Sequence, residues 1–241
     1  VAKQTGLGDA LYVSGYNLSG DSNDVQISCT IGEMDQTGMD AEGMERAGGI
    51  RDSKITWESF FNPTRAHPVL SALSTSQQLA TYCRSTALGA PAFWHLSHQV
   101  GYDPSRGSDG SLLIDLESIG AQWGGEWGFQ LTAGSRTDTS ATNGASVDDY
   151  GAGTALGLQA SLHLLACTAV DLTITVQDSP DDSAWSDLIS FTPVATGSAP
   201  TWERIATGPT ESVDRYLRIA TTTSGGMTTA TFQVAVNRNL T

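Results

Sequence analysis

Four aspartates, Asp178, Asp181, Asp182 and Asp187, fall within the twelve residues "QDSPDDSAWSDL", 177–188. Carboxylates at that density could cage a calcium ion or work as a catalytic acid–base pair. A calcium loop needs oxygen ligands stepping around one point, as in D-x-D-x-D-G, and these four do not follow that step. "TITVQDS" before them alternates as a strand does, and "WSDLIS" after them can be the next strand. Between the two, Pro180 presets one dihedral while Asp and Ser bond their own backbone. A hairpin loop is expected, with a weak ion site as the alternative and Trp185 as an apolar anchor.

The other reactive residues are scattered. Of the four histidines, His67, His95, His98 and His163, only His95 and His98 are close. Their odd spacing sends them to opposite faces of a strand, and "FWHLSHQV" after Pro91 looks extended. No carboxylate or cysteine stands near them at ligand spacing, so no metal is expected. Cys29, Cys83 and Cys167 are widely spaced, odd in number and contain no CxxC pair, which points to buried free thiols. Neither a G-x-S-x-G elbow nor a phosphate loop occurs. Glu126, between Trp123 and Trp127 in "QWGGEWG", is the most suggestive carboxylate, since glycosidases work with carboxylates and aromatics often flank sugars. The plainer reading makes the tryptophans core or interface anchors and turns Glu126 to water. No catalytic residue and no cofactor is expected.

The elements that hold these residues read as short strands. The 241 residues suffice for one large domain or two modest ones. Charged residues make up 16%, against about 25% in ordinary soluble domains, and Gly, Ser and Thr are abundant. The net charge of −14 repels DNA and anionic membranes at long range. That argues against gripping DNA but not against lying beside it. The start, "VAKQTGLGDALYVSG", does not read as a signal peptide, and nowhere do about 18 apolar residues run together. A reducing cytoplasm is the expected place of synthesis.

Along the chain, "KITWESFFN" alternates and stops at Pro63. "APAFWHLSHQVGYDP" and "GSLLIDLESIGAQWGGEWG" read as strands joined by the turn "DPSRGSDG", and residues 67–76 as a short helix. The polar stretch 131–153 has little to bury and is longer than ordinary loops. A domain boundary is expected there, dividing 1–150 from 151–241. Beyond it six strand-like runs follow at close spacing, as in a β-sandwich. Acidity is concentrated in the first half: 18 acidic against 8 basic residues, compared with 8 against 4 in the second.

Residues 33–53, "EMDQTGMDAEGMERAGGIRDS", lack a period of two. "AEGMERAG" could form a turn or two of helix stopped at Gly48. Three methionines, Met34, Met39 and Met44, sit among carboxylates, and methionine adapts well to contact surfaces. A loop of this length in a compact β protein usually has a task, and contact between subunits is expected of it.

"EMDQTGMDAEGMERAGGIRDSKITWESFFNP", with "GYNLSGD" upstream and "GYDPSRGSDGSL" and "EWGFQLTAGSRTDTSAT" downstream, resembles the major tail (tail tube) proteins of long-tailed phages, particularly those infecting actinobacteria. The resemblance covers roughly residues 8–150. It implies an all-β fold: a tail-tube β-sandwich or barrel domain over 1–150 that forms rings, followed over 151–241 by an outer immunoglobulin-like or jelly-roll β-sandwich. It further implies hexameric rings that stack into a tube with an acidic lumen, through which DNA passes without specific binding. Such a protein is assembled in the host cytoplasm and resides in the virion tail with other tail proteins. The long loop would reach the neighbouring ring, giving Met34, Asp35, Met39, Glu42, Met44, Arg46 and Arg51 an inter-subunit role. The alternatives are a carbohydrate-binding sandwich with Trp185, Trp202 and Tyr216 as its platform, and a glycosidase using Glu126.

Overall fold

A computed structural model describes residues 5–148 and 151–238. The fold is all-β: β1 (Ala10–Val13), β2 (Tyr16–Asn17), β3 (Ser22–Asp35), β4 (Arg46–Phe60), β5 (Gln78–Cys83), β6 (Pro91–Arg106), β7 (Leu112–Gln130), β8 (Arg136–Asp138), β9 (Val147–Asp148), β10 (Leu158–Ala169), β11 (Thr173–Ser179), β12 (Ser186–Ser190), β13 (Thr201–Ala206), β14 (Tyr216–Thr222) and β15 (Met227–Arg238). One helix, α1 (Ala66–Leu70), interrupts them. It is shorter than the 67–76 read from sequence. Two sheets result, one of eleven strands and one of four in the order β12-β11-β14-β9. Every pairing with a resolved register is antiparallel. Among the described residues no helix is long and apolar enough to cross a membrane.

The chain divides into two compact units. The first takes in the described residues of Val1–Ser19, Leu79–Trp94 and Glu126–Thr241; the second is Gly20–Gln78 with His95–Gly125. The boundary expected at residue 150 lies outside the described residues, and β9 before it and β10 after it both belong to the first unit. The polar stretch around it is knitted in rather than loose. Asp138 takes two hydrogen bonds from Arg136, each 2.7 Å long, and a third from the Thr221 hydroxyl.

In the first unit β13-β10-β15 and the four-stranded sheet supply one apolar cluster, in which Leu158, Leu162 and Leu164 of β10 meet Ile174, Val176, Leu217 and Phe232. The opposite face of β10 is buried too. His163 accepts a hydrogen bond from the Gly15 amide at 3.1 Å through Nδ1, and its Nε2 lies 2.8 Å from the Thr81 hydroxyl. Gly15 closes the β1–β2 hairpin with Ser14, at φ +85° and +49°, the left-handed pair that a two-residue turn of this twist requires.

In the second unit β4 alternates. Ser53, Ile55, Trp57 and Ser59 are buried, while Lys54, Thr56 and Glu58 are half-buried. The buried row packs with Ile114, Leu116 and Ser118 of β7 across the register that sets Trp57 against Leu116. His95 sits inside with its two ring nitrogens 2.9 Å from Ser53 Oγ and 3.2 Å from Ser118 Oγ. Ala66 and Leu70 of α1 are fully buried, and the Gln99 amide donates to the Leu70 carbonyl at 2.7 Å.

Candidate interaction surface

The stretch 33–53 is not an irregular loop with a helical turn. It is the outer part of a long two-stranded ribbon, paired as far as Asp35 with Arg46. Sequence reading missed the strands because a ribbon wet on both faces has no reason to alternate, and because a bulge between the Ile31 and Glu33 pairs breaks the period. All residues of β3 from Ser28 outward are exposed. Apolar side chains lie along the ribbon in water: Ile31, Met34, Met39, Met44 and Ile50.

The seven expected contact residues are therefore brought onto one element. Met34 and Asp35 lie at the end of β3 and Arg46 at the start of β4, where its guanidinium bonds Glu33 at 2.7 Å. Met39, Glu42 and Met44 occupy the connecting loop, and Arg51 pairs with Ile31 near the ribbon's base. The loop is ordered by Asp35. Its carboxylate accepts the Thr37 amide at 2.9 Å, and hydrogen bonding from Thr37, through its side chain first and its amide second, holds it below the usual carboxylate range. The Thr37 hydroxyl in turn accepts the Glu45 amide at 3.0 Å.

The solvent face of the second unit's sheet is acidic. The even-numbered residues of β4 and the odd-numbered residues of β7 between 115 and 119 share that face. Thr56 stands opposite Glu117, and Glu58 opposite Asp115. With Asp24 and Asp103 these carboxylates line a groove of about 450 Å³, floored by Trp57 and Leu116. At its margin the Lys54 ammonium stands 2.9 Å from Glu117. The sequence signal was present in the alternation of "KITWESF" and "LLIDLES", whose apolar and acidic residues take turns. What it lacked was the register that brings four separate strands together.

Two residues of β7 leave the extended conformation. Trp123 and Gly124 both have left-handed backbones, φ +63° and +69°. For a tryptophan this costs on the order of 1–2 kcal/mol, and the residue is 66% exposed.

The remaining candidates do not assemble. Of the four clustered aspartates, Asp181 accepts the Ser183 and Ala184 amides, which drive its carboxyl far down. Asp187 accepts from Gln177, and Asp178 from the Asp214 amide. The segment is a hairpin connection between β11 and β12. Among the described residues no group of three or more His, Cys, Asp or Glu could hold a metal. Glu126 accepts a hydrogen bond from Asn237 at 3.0 Å. Trp185 and Tyr216 belong to the four-stranded sheet and its β11–β12 connection, with Arg218 and Arg215 stacked 4.1 and 4.9 Å from their ring centres. Trp202 lies on β13 opposite His163, in the other sheet. The three aromatics are thus divided between the two sheets. Of the thiols, Cys83 and Cys167 are buried as expected, and Cys29 is exposed, against expectation.

No protein-family model matches the chain, and neither does any curated protein. Among solved structures it is similar to a chain of the virion of a native gene transfer agent particle: 12% identity, TM-score 0.43, covering 53% of this chain and 98% of the other. It is also similar to the SPP1 Dit protein, described as a paradigm of the hub adsorption apparatus in phages infecting Gram-positive bacteria. There the identity is 10% and the TM-score 0.35, over 95% of this chain and 99% of the other. Neither likeness is close enough to carry an argument, so function is argued from the chain's own surfaces.

Proposed function

We propose that this chain is a structural protein of a long-tailed phage virion: a tail-tube subunit that closes into rings, six copies in the proteins it resembles, and stacks into the conduit for DNA. The observation that carries the reading is the second unit's sheet, acidic on its solvent face and unpaired at both edges. Among the described residues β3 pairs with β4 alone. β6, sixteen residues long, has the six-residue β5 beside it at one end only. Unpaired edges are templates for strands of other chains. An edge on each side makes a head-to-tail contact that can close into a ring. Joining them would leave Asp24, Glu58, Asp103, Asp115 and Glu117 on one continuous wall. Such a wall repels the phosphates of passing DNA instead of binding them. In this reading the ring-forming role expected of residues 1–150 falls on the second unit, and the exposed ribbon links one ring to the next.

Negative-stain microscopy of the concentrated protein tests it. Stacked rings with a central hole are the expected image. Particles of one subunit at every concentration, with or without tail extract as initiator, would overturn it.

A further inference from the structure

We propose that Asn143 is a site of self-modification: whenever the strap 142–148 lifts from β14, the Gly144 backbone nitrogen displaces the Asn143 side-chain amide and leaves aspartate or isoaspartate in its place. Asn143–Gly144 is the single Asn-Gly step in the chain. Glycine has no side chain to block the approach of its nitrogen to the neighbouring amide carbon. The fold itself demands that glycine, because a Cβ on Gly144 would run into the Arg136 guanidinium. The step most open to this chemistry is therefore built into the packing around Arg136. Asn143 is also exposed, so water reaches its side chain.

The reaction needs no reagent but water. The Gly144 nitrogen bonds to Asn143 Cγ, the Cγ–Nδ2 bond breaks, and ammonia leaves with the proton that Gly144 gave up. The product is a cyclic imide. Water then opens it at one carbonyl or the other. One opening leaves aspartate; the other leaves isoaspartate, in which the main chain runs through the former side chain.

The folded chain withholds the nucleophile. The Gly144 amide donates to the Ile219 carbonyl at 2.7 Å, and on the other side Thr142 and Thr221 exchange amide bonds of 3.2 and 3.0 Å. Between them Asn143 bridges to Ala220. Arg136 clamps the same place, donating to the carbonyls of Thr142 and Ile219 at 3.0 Å each. Held so, the Gly144 amide keeps its proton and cannot turn toward the Asn143 side chain. Yet the strap is an edge: it ends in β9, which pairs with β14 through Val147 and Asp148 alone. An edge of this kind opens at a lower free energy than the core, and the modification counts those openings. Isoaspartate makes an opening permanent. It adds a backbone carbon between the Thr142 and Gly144 bonds, so both cannot be remade in the present register. β14 then keeps an unpaired edge, a template for a strand of another chain. None of this depends on the tube reading.

The test uses the full chain, incubated at mildly alkaline pH in buffer and, in parallel, in urea. Both samples are digested and their peptides weighed by mass spectrometry after chromatography that separates aspartate from isoaspartate. The expected result is amide-to-acid conversion at Asn143, at least about tenfold slower in the folded chain than in urea, the ratio that an opening free energy of about 1.4 kcal/mol produces. Thr221→Val removes the hydroxyl that accepts the Thr142 amide at 3.0 Å. It should speed conversion in the folded chain and leave the rate in urea alone. Equal rates in buffer and urea, or a Thr221→Val protein of native circular dichroism with the wild-type rate, would overturn the strap as the gate. No conversion at Asn143 in urea, or faster conversion at another asparagine, would overturn the site.

Discussion

The imidazole of His163 is locked 2.8 Å from the hydroxyl of Thr81, and the arrangement fixes its protonation. Nδ1 accepts from the Gly15 amide, so Nε2 bears the single ring proton and donates it to Thr81. Burial pushes the His163 pKa down to about 3, and that of His95 down to about 4. Both rings stay neutral wherever the protein is folded under ordinary conditions.

Acid stability follows from these two rings. Each folded-state pKa lies below the unfolded value of 6.5. The unfolded chain therefore binds more protons as pH falls below 6.5, and stability drops until the folded pKa is reached. The slope approaches about 1.4 kcal/mol per pH unit for each histidine. Thermal melts between pH 7 and pH 4 should show a steep fall in wild type. A His163→Gln variant should be less stable at pH 7 and should have a shallower slope. An unchanged slope would refute the assignment.

Two ion pairs in the first unit should differ in worth. Arg136 and Asp138 are 15% and 5% exposed, while Arg215 and Asp148 are 41% and 43% exposed. Arg136 also donates to the carbonyls of Ile219 and Thr142. Asp138→Ala should cost about 3 kcal/mol by leaving a buried guanidinium unpaired. Asp148→Ala should cost far less, because solvent screens that pair. Urea titration of the two variants measures both.

The acidic wall carries a built-in repulsion. Glu58 and Asp115 are directly paired across β4 and β7, and like charges in that position are unfavourable by roughly 0.2–1 kcal/mol. Glu58→Lys should raise the melting temperature slightly. It should also make the assembled protein retard DNA in a low-salt gel, which wild type should not do. A variant no more stable than wild type would mean that water screens the pair fully.

The ribbon tip should be dispensable for folding. Replacing residues 36–45 by Asn-Gly joins Asp35 to Arg46, already a cross-strand pair, through the two-residue turn that suits it. Circular dichroism should be unchanged and rings should still form, but tubes should not. Tubes of wild-type length from this variant would remove the ribbon from the stacking contact.

Much of this was legible in the residues. The strand character of "KITWESF" and the turn chemistry of "SPDDSA" come from local rules that the fold obeys: alternation across a one-sided sheet, and side chains that bond their own backbone. The free thiols at Cys83 and Cys167 were legible too. The ribbon was not. Its residues face water on both sides, and nothing in "EMDQTGMDAEGMERAGG" records that Asp35 lies against Arg46. Nor was the place of the 131–153 stretch. It reads as a boundary because it is polar, and most of its described residues are exposed; what the sequence does not show is that Arg136 and Asp138 within it pair with each other inside the fold.

The uneven burial of the three thiols equips the chain for labelling. Burial raises the pKa of both Cys83 and Cys167, which keeps them protonated and slow toward electrophiles. Cys29 is exposed on β3, which among the described residues pairs along one side with β4. A maleimide dye should therefore attach once per chain, on the edge proposed to join subunits. Its fluorescence would then report edge pairing in real time, with no engineered residue in the protein.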